Sequence, residues 1–270
     1  MMAYGAMACG VLAMAIGVAA WGPRMNPADG SSGAPRPAGT PVPVLVELFT
    51  SEGCSSCPPA DALLTRLATE KTIGNAEIVT LAFHVDYWNR LGWTDRFSSA
   101  AFTERQNRYA TAWKSDRIYT PQAVVDGRVE FVGTDAKRAL DAFATSAARP
   151  HATVTLALAA DDAPPRHRTL RLVIDPPAGA AIGGDVLLAV AEDGLSSEVT
   201  AGENARQRLE HTGVVRTLTK VGRLAKGAPL RLESIKVPLD AAWASGRVRA
   251  VVIVQDDKTR EIHGTGQLAF

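Results

Sequence analysis

The chain has 270 residues, nearly half of them apolar, with 29 Lys and Arg against 28 Asp and Glu for a formal net charge of +1. With acids and bases interspersed, this balance leaves no electrostatic footprint for nucleic acid or an anionic membrane surface, and both are excluded as main partners. The length suffices for a substantial core and for two domains of ordinary size.

Residues Met1 to Ala20 carry no charge and are mostly Ala, Met, Val, Leu and Gly, the composition of a secretory h-region, and Val18-Ala19-Ala20 offers small residues to a signal peptidase. A retained membrane anchor is the other reading, since the stretch is nearly long enough to span and lacks a basic n-region. Cys9 lies inside it, so cleavage would leave two cysteines in the mature chain. Export to the periplasm or the exterior places those two in an oxidising compartment, where disulfides persist. Residues 21–41 are rich in Pro, Gly, Ser and Ala without an apolar period and read as a flexible tether.

From Pro43 to Phe49 the chain is almost continuously apolar, as expected of a central strand covered on both faces, and Glu47 alone breaks the run. Ala60, Leu63, Leu64, Leu67 and Ala68 then recur at helical spacing, with Pro58 and Pro59 tolerated only in a first turn. Residues Ile78 to Val85 form a second buried strand, so strand, helix and strand predict a parallel pair. Residues 86–119 are a polar and aromatic insertion, with a helix starting near Ser98 or Ser99 that aligns Phe102, Tyr109 and Trp113 and packs over the preceding motif. Asp126-Gly127 between two apolar runs predicts a hairpin, and Asp135 caps a last helix carrying Leu140, Phe143 and Ala147.

Past Arg149-Pro150 the texture changes to short alternating runs at Thr153 to Leu158, Thr169 to Ile174, Val186 to Val190, Leu230 to Val237, Val248 to Val254 and Ile262 to Leu268. Turn residues separate them, which predicts an antiparallel sandwich and a domain boundary near Arg149 to His151. Asn204, Arg206, His211 and Arg216 are a dense polar group that either lines an interdomain face or is solvated.

The chemistry concentrates in Ser51-Glu52-Gly53-Cys54-Ser55-Ser56-Cys57-Pro58-Pro59. Two intervening residues put the thiols within bridging distance if the first turn is helical, and the unpaired N–H groups and helix dipole there favour a thiolate. In that geometry Cys54 is the exposed nucleophile, its thiolate able to accept from the Ser55 and Ser56 hydroxyls, and Cys57 is the shielded sulfur that resolves a mixed disulfide. An inert disulfide that ties the loop remains the alternative. His84 and Asp86 end the second strand, where α/β sheets place their sites. Either His84 joins Cys54 and Cys57 to hold a soft ion such as Cu(I), or the two residues fix the insertion.

Together with the cysteines, Tyr119-Thr120-Pro121-Gln122-Ala123-Val124-Val125-Asp126-Gly127 and Phe131-Val132-Gly133 resemble the thioredoxin-like superfamily. The resemblance implies that Pro121 is a cis-proline facing Cys54 and that Thr120 with Pro121 docks an extended substrate strand. Glu47 resembles the buried acid beneath the resolving cysteine, which implies that it accepts the proton of Cys57, and an acid that points to a pocket edge or pairs with a base is the other reading of it. More narrowly, Val46 to Asp61, Phe83 to Trp88, Gly92-Trp93, Gly202-Glu203-Asn204 and Val214-Val215-Arg216 look like a family of exported thioredoxin-like proteins catalogued as a domain of unknown function. The chain departs from ordinary thioredoxins in having no Trp before Cys54 and Ser55-Ser56 in place of Gly-Pro.

The fold expected is therefore an α/β thioredoxin-like domain over 42–149, with the helical insertion 86–119, followed by a smaller all-β, antiparallel sandwich-like domain over 150–270. The function expected is thiol-disulfide exchange by Cys54 and Cys57 with protein thiols or disulfides, reset by a redox partner, with no organic cofactor or resident metal. The alternative is a non-catalytic partner- or copper-binding protein with a structural disulfide.

Overall fold

The computed structural model describes residues 1–2, 39–159, 167–243 and 246–270. Beyond Met2, the expected export segment, Cys9 and residues 21–38 of the expected tether lie outside the described residues. Among the described residues no helix is long and apolar enough to cross a membrane.

The first half of the chain runs β1 (Val42–Thr50), α1 (Pro58–Glu70), β2 (Thr72–Ile73), β3 (Ala76–His84), α2 (Ala100–Trp113), β4 (Gln122–Val125), β5 (Val129–Val132) and α3 (Ala136–Ala147). The second half is all strand: β6 (Thr153–Leu158), β7 (His167–Asp175), β8 (Gly184–Glu192), β9 (Leu195–Glu198), β10 (Arg208–His211), β11 (Val214–Leu224), β12 (Leu230–Pro238), β13 (Val248–Gln255) and β14 (Ile262–Ala269). β1 pairs with β3 in parallel from Val42 opposite Ala76 to Thr50 opposite His84, and β4 joins the other edge of β1 antiparallel.

Strands from both halves share one nine-stranded sheet ordered β14-β13-β8-β11-β3-β1-β4-β5, with β2 on β3. The boundary expected near Arg149 to His151 falls between α3 and β6, and the chain beyond it extends the first sheet as well as forming a three-stranded sheet β12-β7-β6. The junction is parallel, Val214 of β11 lying opposite Ala82 of β3.

Side-chain alternation divides this sheet between three cores. Val44, Val46 and Leu48 of β1 face α1 and α3 with Ile78 and Ala82 of β3. On the same surface of the sheet, further along, Val186, Leu188 and Val190 of β8 and alternate residues of β13 face Leu170, Leu172 and Ile174 of β7. Leu45, Phe49, Leu81 and Phe83 point the other way, with Ala189 and Ala191, and are covered by Phe102 and Tyr109 of α2. The expected insertion thus supplies the helix that covers part of this face.

The Asp126-Gly127 turn forms as the sequence predicts, both residues in the left-handed region at φ 45° and 64°. It is also buried and tied in: the Asp126 carboxylate accepts from the backbone N–H of Leu45 at 2.8 Å and from the Ser146 hydroxyl, and its carbonyl accepts from Ile262 N–H. A β-carbon on Gly127 would lie 2.1 Å from the Arg260 carbonyl oxygen. Gly127→Ala is therefore expected to cost about 2–4 kcal/mol, combining the left-handed backbone with overpacking, as a lower urea midpoint at unchanged slope.

Candidate functional site

The loop after β1 turns tightly into α1. Cys54 N–H donates to Ser51 O at 3.2 Å and Cys57 N–H to Cys54 O at 3.1 Å, and Cys57 is the N-cap residue, whose carbonyl accepts from Ala60 and Asp61 N–H. Pro58 and Pro59 open the helix where N–H groups lack intrahelical partners. The Cys54 and Cys57 sulfurs are bonded, with Cα atoms 5.4 Å apart, at the positive end of the helix dipole. Ser56 Oγ lies 3.3 Å from Cys54 Sγ.

The expectation that Cys54 is exposed is corrected by the structure: both cysteines are 0% exposed, while Ser55 and Ser56 between them are exposed. The cover comes from two distant segments. Asn204, itself buried, donates its side-chain amide to the carbonyls of Glu52 at 2.9 Å and Cys54 at 3.0 Å, and Glu203 accepts from Ser55 N–H at 3.0 Å. From the insertion, Trp93 Nε1 donates to Glu52 Oε2 at 2.8 Å, and Trp88 packs so close to Gly53 that a β-carbon there would sit 3.1 Å from Trp88 Cβ.

Thr120-Pro121 is cis. Thr120 Oγ1 accepts from Trp88 Nε1 at 2.8 Å, so Trp88 bridges the cysteine loop and the proline turn. A β-carbon on Gly133 would lie 3.0 Å from Ala60 Cβ and 3.3 Å from Pro121 Cβ, which puts Pro121 against the first turn of α1. Glu47 does not belong to this group. Alternation turns it toward α2 with Leu45 and Phe49, where Arg105 Nε donates to it at 2.6 Å and the Tyr109 hydroxyl donates to its other oxygen. Burial and the Glu47 charge push the Tyr109 phenol far above its ordinary range, so it stays a donor. Glu47 is held by Arg105 on the sheet face away from α1, and its expected role toward Cys57 is corrected accordingly.

Behind the disulfide lies a buried set of charges that the motif alone does not reveal. His84 Nδ1 lies 2.6 Å from Asp95 Oδ2, and His211 Nε2 lies 3.2 Å from Glu52 Oε1, with the two rings 4.9 Å apart. Burial drives the Glu52 and Asp95 carboxyls up, but hydrogen bonds from His211 and Trp93 to the first, and the charge and hydrogen bond of His84 with two backbone N–H groups on the second, hold both below their ordinary values. His84 therefore fixes the insertion through Asp95. Its Nε2 and His211 Nδ1 are buried without a protein partner, and among the described residues no three His, Cys, Asp or Glu side chains are arranged to hold a metal ion.

Asp61 is the acid nearest in sequence to the resolving cysteine, four residues on and so on the same side of the helix start. It is buried, and burial with the neighbouring Asp95 and Glu52 charges pushes its carboxyl up to about 7, against the pull of His211 and Thr50. An acid in the first turn ordinarily reads as a partner of the helix dipole; only the fold shows that this one is desolvated. The folded chain keeps this proton to about pH 7, whereas the unfolded chain releases it near 3.8. Ionising Asp61 thus costs stability that is absent below pH 4 and complete above pH 7. Asp61→Asn is expected to be more stable than the parent by a margin that grows across that window to on the order of 4 kcal/mol at most, read by denaturant unfolding at pH 4, 6 and 8; a margin independent of pH would contradict the assignment.

Comparison with curated proteins gives no match. Among solved structures, the crystal structure of protein AGR_C_4864 from Agrobacterium tumefaciens is similar at 29% identity and a TM-score of 0.66, covering 84% of this chain and 94% of that one. HBP35 of Porphyromonas gingivalis shares the fold at a TM-score of 0.62 and 14% identity, over 86% of this chain and 76% of that one. A family model described as "Protein of unknown function (DUF1223)" matches residues 45–255, and the chain belongs to that family.

Proposed function

We propose that the chain is an exported thiol-disulfide exchange protein of thioredoxin-like fold, in which the Cys54–Cys57 pair reacts with protein thiols or disulfides once its cap lifts. The fold reading rests on the order β1, α1, β3 with parallel pairing, followed by the β4-β5 hairpin and α3. Export rests on the uncharged apolar stretch from Met1 to Ala20.

The observation that carries the exchange reading is the thinness and polarity of the seal. Ser55 and Ser56 are exposed, so the disulfide lies one residue beneath solvent, and beside Trp88 and Trp93 what closes over it is hydrogen bonding, from the Asn204 amide to the Glu52 and Cys54 carbonyls and from Ser55 N–H to Glu203. A client thiolate attacking Cys54 Sγ breaks the Cys54–Cys57 bond and releases Cys57 as the thiolate. A second client thiolate then attacks the client sulfur of the mixed disulfide, giving an oxidised client and a Cys54 thiolate stabilised at the helix start. In reverse, Cys54 attacks a client disulfide and Cys57 resolves it. Asp61, buried one helical turn past Cys57, is the acid that exchanges a proton with it in this reading. Thr120 and Pro121 dock the client strand where Trp88 now bridges to the loop.

The complete burial of both cysteines favours a second reading, a structural disulfide in a protein that recognises a partner. The two diverge when the cap is loosened. Asn204→Ala removes two hydrogen bonds, each worth about 1 kcal/mol, and is expected to speed reduction of the disulfide by dithiothreitol about tenfold or more while the fold stays intact by circular dichroism. Cys57→Ala in the native compartment is expected to accumulate mixed disulfides on Cys54. Equal reduction rates together with an empty trap would establish the structural reading instead.

A further inference from the structure

A cavity of about 800 Å³ lies between α2 and the surface of β8 and β11 that faces it, within the size range of small-molecule sites. Neither the disulfide nor its cap uses it. Six cationic side chains line it against three carboxylates. Arg105 is neutralised by Glu47, Arg108 by Glu104 and Lys220 by Asp185, and the third lining carboxylate, Asp240, accepts from Ala242 N–H in its own turn. Arg96, Arg216 and Arg260 remain, and among the described residues the one carboxylate within 4.0 Å of any of them is Glu192, 3.8 Å from Arg216.

Two of these three are held in unusual ways. The Arg216 guanidinium stands 5.3 Å from the centre of the Phe97 ring and 5.6 Å from that of Trp243, and with Glu192 on its Nε side its Nη edge is left for a planar anion. Arg260 has a left-handed backbone at φ 66°, a conformation that side chains other than Gly, Asn or Asp rarely adopt. Its Nε is buried without a partner, while Nη2 donates to Gln255 Oε1 at 2.7 Å. Burial and the charge of Arg105, with that of Arg108, hold its guanidinium below the ordinary value against the pull of Tyr109 and Glu47. A strained backbone, an unsatisfied donor and like-charged neighbours at one residue are the marks of a group kept for a ligand rather than for stability.

Register sets how far apart the two arginines start. Arg216 lies in the bulge beside Ala191 and Val190 of β8, and Gln255, which holds Arg260, lies opposite Asp185. Five strand residues separate those positions, roughly 17 Å, with Phe102, Leu187 and Leu218 among the lining between them.

We propose that this cleft binds an elongated small organic anion with acidic groups at both ends, carboxylate or phosphate, one on Arg216 and the other on Arg260, and an apolar body between them. The test uses the full chain and two probes, suberate, an eight-carbon dicarboxylate, and inorganic phosphate, with sodium chloride at matched ionic strength as the baseline. Suberate is expected to raise the melting temperature saturably and to bind at least tenfold more tightly than phosphate. Arg216→Gln and Arg260→Gln are each expected to weaken suberate at least tenfold, whereas Lys236→Gln, at an exposed position of β12, leaves it unchanged. Arg260→Gly relaxes the backbone and is expected to melt no lower than the parent without ligand, yet to lose the suberate response, which separates lost binding from lost folding. Shifts equal to those of chloride, phosphate binding as tightly as suberate, or full suberate binding by the arginine variants would each overturn the proposal.

Discussion

One short junction carries the rest of the architecture: the edge of β3 where β11 arrives. The Ala82 N–H donates to Gly213 O at 2.7 Å, and Val214 sits opposite Ala82 as the single parallel pair. Such close approach needs a glycine, since Gly213 has φ 70° and a β-carbon there would lie 3.0 Å from the Thr80 carbonyl oxygen. Asp193 clamps the junction by accepting from Gly213 N–H at 2.7 Å and from Arg249, whose Nη2 in turn donates to Thr80 O at 2.6 Å. Through this contact the late strands extend the early sheet, and the segment just before β11 is laid against α1, where Thr65 donates to Thr212 at 3.1 Å. His211 and Asn204 reach the disulfide because of it.

Several buried charges near the disulfide are made tolerable by the same arrangement. Glu52 would be an isolated carboxylate within the cysteine loop, a cost of several kcal/mol if unpaired, without His211 from β10 and Trp93 from the insertion. Asp95 performs the equivalent service for the loop backbone, accepting from Glu52 N–H at 2.9 Å while it holds His84. Three regions far apart in sequence, the loop after β1, residues 86–99 and residues 199–211, thus share one network. Losing any of them would strand a charge in another, so the loop conformation belongs to the whole unit rather than to its own turn residues.

The legible parts of the sequence were those written by local rules. The paired prolines after Cys57, the Asp126-Gly127 hairpin, the Ser99 and Asp135 helix caps and the alternating strands β6, β7, β12, β13 and β14 all follow from propensity and periodicity, and each is found. β11 was not legible. Among the described residues it is the longest strand, at eleven residues, but Arg216, Thr217, Thr219, Lys220 and Arg223 break up the apolar alternation that marks the others. Those side chains are polar because part of the strand borders a cleft rather than a core, and alternation breaks at the bulges after Val215 and Lys220. Missing β11 removes the link between the halves, and with it the burial of Cys54, the role of Asn204 and the pairing of His211 with Glu52. Of the two readings of Glu47 the acid paired with a base is the one found, and local rules do not choose between them for a related reason. Strand parity decides which face it takes, and its partner Arg105 comes from an insertion whose packing no local rule specifies.

Opening is cheapest in one part of this unit. The three cores are apolar and continuous across the sheet, so exposing any strand costs a large fraction of the total stability. Between Thr200 and Gln207 only Asn204 is buried, so the cap rests on its two hydrogen bonds, the contact of Glu203, the close approach of Gly202 to Trp93 and its backbone turns. Net hydrogen-bond energies near 1 kcal/mol each place lifting this loop among low-energy local excursions, far below unfolding. The proposed exchange requires that the disulfide, hidden in the ground state, be exposed by this excursion alone. A structural crosslink gains nothing from that position, whereas a reactive one gains protection from indiscriminate thiols until something displaces Asn204.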